Sequence, residues 1–303
     1  MKRCAFPAVL RALPLLFLLR AGAEALPPLV VTAARQPLAA PQIPVGVNLF
    51  DLDDLAASPA LTTDDFLRQV PGFGLFRRSG SLTANPTTQG FTLRGIAPSG
   101  TSRGLILFDG APLNDAFGGW VAWSRIDLRQ AERVEVIRGG GATAWGNAAL
   151  SGVIQILPAP IRENGGELGV VTGTQGTLGI RSRVQAVEGN WGTALEGTAF
   201  RTDGAHRLAP GQRGPVDTRA DSRHESLAAT VEHQPPLGPF FRGRFSYFQE
   251  RRNNGTRLTN NETESWRWQH RLTFGEAPEG RTAWTAFAER SEYASTFSNI
   301  SPD

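Results

Sequence analysis

Two groups of side chains in the amino-terminal half have types and spacing suited to holding a ligand. Arg77 and Arg78 are adjacent cations, and Phe117, Trp120 and Trp123 set three aromatic rings around the flexible Gly118-Gly119 pair. Cationic forks next to flat π surfaces suit an anionic, aromatic ligand. The competing assignment is structural, with the tryptophans packed against a neighbouring wall and the arginines solvated. From the residues alone the two assignments weigh about equally.

A second group is charged and strand-borne. Arg133-Val134-Glu135-Val136-Ile137-Arg138 alternates charged and apolar residues, and Arg94 closes the short apolar run Phe91-Thr92-Leu93. Arg94, Arg133, Glu135 and Arg138 fit ion pairs, internal or to a facing wall, better than ligand contacts. The glycines beside them, Gly95, Gly139 to Gly141, Gly146 and Gly152, fit sharp turns and close backbone packing. They lack the Gly-Lys-Ser/Thr ending and the spacing of nucleotide-binding loops.

Several chemistries are excluded or unsupported. His206, His224, His233 and His270 show no metal-ligand spacing. The single cysteine, Cys4, rules out an intrachain disulfide framework and a thiolate cluster. No Ser/His/Asp set or paired carboxylate stands out, so no enzyme, cofactor or resident metal is expected.

These groups must be positioned by two regions of different grammar. From about Val45 to Pro160 helix and strand signals mix: Thr62-Thr63-Asp64 opens a short helix with Phe66, Leu67 and Val70 on its apolar face, and Pro71-Gly72 stops it. Leu105 to Phe108 and Val153 to Leu157 read as short buried strands. From about residue 165 to Asp303 the period becomes two, and seven strands can be counted, near 167–174, 177–188, 191–202, 223–234, 240–251, 263–274 and 281–296. Trp266, Trp268, Leu272 and Phe274 fall on one face of the sixth, with Arg267, Gln269 and Arg271 on the other. Short turns at one end and longer polar loops at the other are the pattern of an outer-membrane β-barrel. A secreted β-sandwich also alternates, but its polar faces would not carry several arginines each.

Before these regions, Lys2 and Arg3, the apolar run Ala12 to Leu19 and Ala23-Glu24-Ala25 read as a secretory signal peptide over residues 1–25. The apolar run falls short of the roughly 20 residues a spanning helix needs. The leader also accounts for the basic balance of 31 Lys+Arg over 28 Asp+Glu. Lys2, Arg3, Arg11, Arg20 and Glu24 all lie within it, and without them the charges are even. The pI of about 9.7 therefore gives no support to nucleic-acid binding. Residues 26–44 are Pro- and Ala-rich, with one β-prone patch, Leu29-Val30-Val31-Thr32-Ala33.

Ordered motifs then give a family resemblance. Phe91 to Ile96, Leu107 to Asp115, Ala131 to Gly139 and Trp145 to Ile154 closely resemble the plug domain of TonB-dependent outer-membrane receptors. Leu29, Val30, Val31, Thr32 and Ala33 look like the family's TonB box. The resemblance implies an α+β plug domain at 45–160, followed at 165–303 by an antiparallel transmembrane β-barrel. It also implies a monomer in the outer membrane of a Gram-negative bacterium, in contact with outer-membrane lipid. The receptor would take a scarce ligand from outside and be energised by the TonB complex. An extended Val-Val-Thr segment can add a strand to a partner's sheet edge, so that main-chain hydrogen bonds carry a pull. A ferric siderophore is the family's commonest substrate, and a catecholate-type ferric chelate would suit the Arg77, Arg78, Phe117, Trp120 and Trp123 group. Cobalamin or another nutrient is the alternative, and a passive porin-type barrel or a soluble basic binding protein are readings from other classes.

Size is the misfit. About seven strands are present where the family barrel has about 22, and open sheet edges are costly in lipid. The sequence thus reads as the amino-terminal part of a receptor, truncated and not transport-competent as it stands.

Overall fold

The computed structural model describes residues 29–30, 38–39, 42–77, 79–95, 99–275 and 282–297. Two very short strands, β1 (Leu29–Val30) and β2 (Leu38–Ala39), pair antiparallel. A mixed unit follows, built from β3 (Gly46–Phe50), helix α1 (Leu52–Ala57), helix α2 (Thr63–Leu67), β4 (Gly74–Leu75), β5 (Phe91–Thr92), β6 (Leu105–Phe108), β7 (Ala111–Pro112), β8 (Ala131–Arg138), helix α3 (Gly141–Trp145) and β9 (Gly152–Pro158). Its five-stranded sheet runs β3-β8-β9-β6-β7, with β6 and β9 parallel and the other pairs antiparallel.

The local chemistry explains the short helices. Asp51 caps α1 through the backbone N–H groups of Asp53 and Asp54, and Asp54 returns a bond to the Asp51 N–H, a reciprocal capping box. In α2 the apolar face of Phe66 and Leu67, continued by Val70, packs on Phe91, Leu93, Ile106, Val134 and Ile154. Asp64 is buried there because it accepts from the Ser81 N–H at 3.0 Å and the Ser81 hydroxyl at 2.6 Å. A buried carboxylate is tolerable only with such partners.

The second unit is one antiparallel sheet of seven long strands: β10 (Gly165–Thr172), β11 (Leu178–Glu188), β12 (Trp191–His206), β13 (Arg219–His233), β14 (Phe240–Asn253), β15 (Asn260–Phe274) and β16 (Thr282–Ser295). Each pairs with its neighbours in chain order, and β10 and β16 have no further partner in the described sheet. The sheet is therefore an open wall and not a closed barrel. All seven sequence-derived strands are present. β12 and β13 run further into their loop, past a register shift between Thr202 and Ala205.

The pleat sorts side chains as the sequence alternation demands. Leu195, Leu227, Phe245, Trp266 and Trp268 lie exposed on the face away from the plug, the arrangement of a lipid-facing surface. Glu232, Arg242, Glu250, Arg252, Arg267 and Gln269 are buried on the other. That second face receives the plug.

Candidate functional site: the seam between plug and wall

At the turn end of the wall the tip of the β6–β7 hairpin enters the sheet's polar face. Asp109 sits there with a positive φ of 47° and is buried. Its carboxylate pairs with Arg242 at 3.1 Å and Arg271 at 3.2 Å. Arg242 also pairs with Glu232 at 2.6 Å, and Glu232 accepts the Ile161 N–H at 3.1 Å. The Gln269 amide donates to the Phe108 carbonyl at 3.0 Å.

A middle tier uses the loop between β7 and β8. The Ser124 hydroxyl donates to Glu250. Arg125 and Arg267 share Glu289, at 2.5 and 2.6 Å. Arg244 donates to the Gln130 amide oxygen at 3.1 Å while pairing with Glu196. Asp127 lies half-buried in this tier, accepting the Arg129 N–H at 3.0 Å. Desolvation pushes its pKa above the ordinary 3.8, against the lowering pull of that hydrogen bond and of Arg181 and Arg129.

At the loop end, Arg252 donates to the carbonyls of Ser81 and Ala84, the latter at 2.8 Å. The Tyr293 hydroxyl donates to Asn85 at 3.2 Å, and the Trp120 ring lies 5.8 Å from that of Tyr293. Cavities interrupt the seam. One of about 130 Å³ lies between α2 and strands β11 and β12, and one of about 60 Å³ lies in the middle tier.

The aromatic and cationic candidates separate in this geometry. Trp123 is only 1% exposed, in the plug core, with its indole N–H on the Gln89 carbonyl at 3.2 Å and its ring edge-on to Phe91 and Phe73. The surface cluster expected with it therefore loses Trp123, because its ring fills the core under β5. Trp120 is half-buried beside the wall, and Phe117 is 98% exposed on an Asp115-capped turn. Arg77 is exposed, with its guanidinium 5.7 Å from the Phe76 ring centre. Arg78 lies outside the described residues. Among the described residues no hydrogen bond or ring contact joins Arg77 to Phe117 or Trp120. Of the TonB-box candidates, Leu29 and Val30 form β1, and Val31, Thr32 and Ala33 lie outside the described residues.

The charged plug residues also divide. Arg133 pairs with the fully buried Glu135 at 2.9 Å. Arg94 and Arg138 form no ion pair with a carboxylate among the described residues, contrary to the sequence expectation. Arg94 instead packs its side chain on Gly139, at φ 79° with its N–H on the Gly72 carbonyl. Arg138 donates to the Pro71 carbonyl at 3.4 Å. Gly139 has φ 78°, and a Cβ there would press on the Arg94 guanidinium. A Cβ on Gly152 would collide with the Ile137 carbonyl. Gly95 and Gly146 both turn the chain with positive φ.

Asp109, Ser124, Arg125 and Gln130 make plug-to-wall side-chain contacts, and none of them was a candidate site residue from sequence. One signal was present. Asp109 ends an apolar strand in a glycine turn, and two arginine-rich strand faces follow that need an acid. Among the described residues no cluster of three His, Cys, Asp or Glu side chains could hold a metal ion.

A mixed α/β plug is docked by polar contacts on a long-stranded antiparallel wall. Residues 40–153 match the TonB-dependent Receptor Plug Domain family. That segment is therefore similar to the plug of TonB-dependent receptors, and the relatives the chain resembles include an Iron-regulated outer membrane virulence protein of Vibrio cholerae serotype O1. It is 34% identical over 142 residues to the Ferrienterobactin receptor of Escherichia coli (strain K12), covering 43% of this chain and 18% of that protein. To the Vitamin B12 transporter BtuB of Vibrio vulnificus (strain CMCP6) it is 31% identical over 185 residues, 60% of this chain and 27% of that one. The chain thus spans well under half the length of these relatives. Among solved structures, the alcaligin receptor FauA of Bordetella pertussis superposes with a TM-score of 0.66 at 16% identity, covering 88% of this chain and 42% of that one. The copper transporter OprC gives 0.63 at 17% identity, over 81% and 37%. These two likenesses bear on fold alone. The family is one of receptors and transporters.

Proposed function

We propose that this chain is the plug and the first part of the wall of a receptor that actively imports a ferric siderophore, with the TonB complex pulling on the Leu29–Ala33 segment. The observation that carries the reading is the character of the seam. The plug meets the wall through many paired carboxylates, guanidinium groups, amides and hydroxyls. Such a surface can part and be rewetted without exposing a large apolar area, which suits a plug that must move under load.

The loop end is the proposed capture surface. Phe117 and Trp120 offer ring faces there, and Arg77 offers a cation. Homology to the Ferrienterobactin receptor favours a catecholate-type chelate. The longer match to the Vitamin B12 transporter BtuB favours cobalamin as the second reading. A sealed transport path needs the open edges of β10 and β16 paired, because unpaired backbone in hydrocarbon is costly. Seven strands alone would not transport.

The test is a binding titration on the receptor in outer-membrane vesicles with ferric enterobactin and cyanocobalamin. Saturable binding of ferric enterobactin, weakened by Phe117→Ala and Arg77→Gln, supports the siderophore reading. Binding of cyanocobalamin alone replaces it with the second, and failure of both removes both.

A further inference from the structure

Arg267 is placed unlike the other arginines of the seam. Its side chain is 7% exposed, and Nη1 donates to Glu289 at 2.6 Å. Its Nε and Nη2 are buried and have no hydrogen-bond partner among the described residues. These two nitrogens form one edge of the guanidinium, with N–H bonds running nearly parallel. That edge matches two oxygens of one oxyanion. Leaving such donors buried and unmet is unfavourable, so something should face them.

The surroundings favour an anion. Arg267 lines the cavity of about 60 Å³, together with Arg125, Arg244, Gln269, Ser226 and Ser246. Arg125 and Arg267 divide one carboxylate, Glu289, between them. Arg244 and Arg183 likewise divide Glu196. The space itself is lined by three guanidinium groups, those of Arg125, Arg244 and Arg267, and by two carboxyls, those of Asp127 and Glu196. A single water needs roughly 10–15 Å³, so this space takes several waters or one small tetrahedral ion.

We propose that the middle of the seam holds one inorganic tetrahedral oxyanion of the phosphate class, gripped side-on by the Nε/Nη2 edge of Arg267. Hydroxyls from Ser226 and Ser246, which line the same space, complete its shell. Bound there, the ion links plug residue Arg125 to the wall and offsets the excess positive charge. The site is independent of which ligand the loop end captures.

The experiment uses the full chain in detergent, with selenate as the probe. Anomalous diffraction from selenate-soaked crystals is predicted to give one peak within hydrogen-bond reach of both Arg267 Nε and Nη2. In solution, selenate affinity should fall on the order of tenfold in Arg267→Lys, which keeps the charge and loses the fork, and vanish in Arg267→Gln. If Arg267→Gln does not fold, Arg267→Lys decides. The proposal is overturned by the absence of a peak at millimolar selenate, by a carboxylate of the protein occupying that edge, or by unchanged affinity in Arg267→Lys.

Discussion

Asp109 of the plug and Arg242 of the wall form a buried ion pair at 3.1 Å, and each has a second partner: Arg271 for Asp109, Glu232 for Arg242. The four charges alternate in sign and balance, which is what makes burial tolerable. Desolvating two charges can outweigh their attraction, yet removing one partner leaves the other stranded. The pair therefore specifies where the β6–β7 tip sits more than it adds stability.

Asp109→Asn keeps a residue that tolerates φ near 47° and removes only the charge. It should destabilise the docked plug by about 3 kcal/mol, the lower end for a broken buried pair, because Arg242 retains Glu232. Hydrogen exchange of the β6–β7 turn reads this directly. Protection should fall there while β13 to β15 keep theirs.

Trp123→Ala and Phe117→Ala should behave oppositely. Trp123 fills the plug core, so its truncation should cost about 3–5 kcal/mol in urea unfolding. Phe117 is almost wholly exposed, and its truncation should leave the urea midpoint unchanged while weakening ligand binding.

Gly152→Ala should prevent the β8–β9 hairpin from closing, since Gly152 has φ 139° and its Cβ would meet the Ile137 carbonyl. Protease sensitivity of the plug in isolated membranes is the measurement. Rapid cleavage of the plug is expected, with the parent protein resistant.

Asp127 sets a pH dependence. Its folded pKa is raised by desolvation, so its ionised form is disfavoured in the docked plug. The penalty is fully present above the folded pKa and is relieved as pH falls through that value toward 3.8. Asp127→Asn should gain stability at neutral pH and lose this part of the pH slope. Urea midpoints taken across the acidic range, parent against variant, check the sign.

Much of this architecture could be read from residue order, because strand periodicity and glycine turns are local signals. Trp266 and Trp268 against Arg267 and Gln269 fixed which face of β15 is wet, and the described pleat agrees. What was not legible depends on distant docking. Trp123 and Trp120 are three residues apart in similar sequence, yet one is core and the other lies against Tyr293. Likewise Arg133 found a partner two residues along its own strand. The partners of Arg242 and Arg267 come from turns and strands that only the fold brings near.

Under the proposed function, the polar seam that holds the plug against the wall must part for uptake. The only cysteine, Cys4, lies in the segment read as a leader, so Ser124→Cys with Glu250→Cys places one reactive pair across the middle tier. When the two thiols are joined in a receptor with a closed wall, ligand binding should persist and energised uptake should stop, returning on reduction. Undiminished uptake with the cross-link complete would contradict the account.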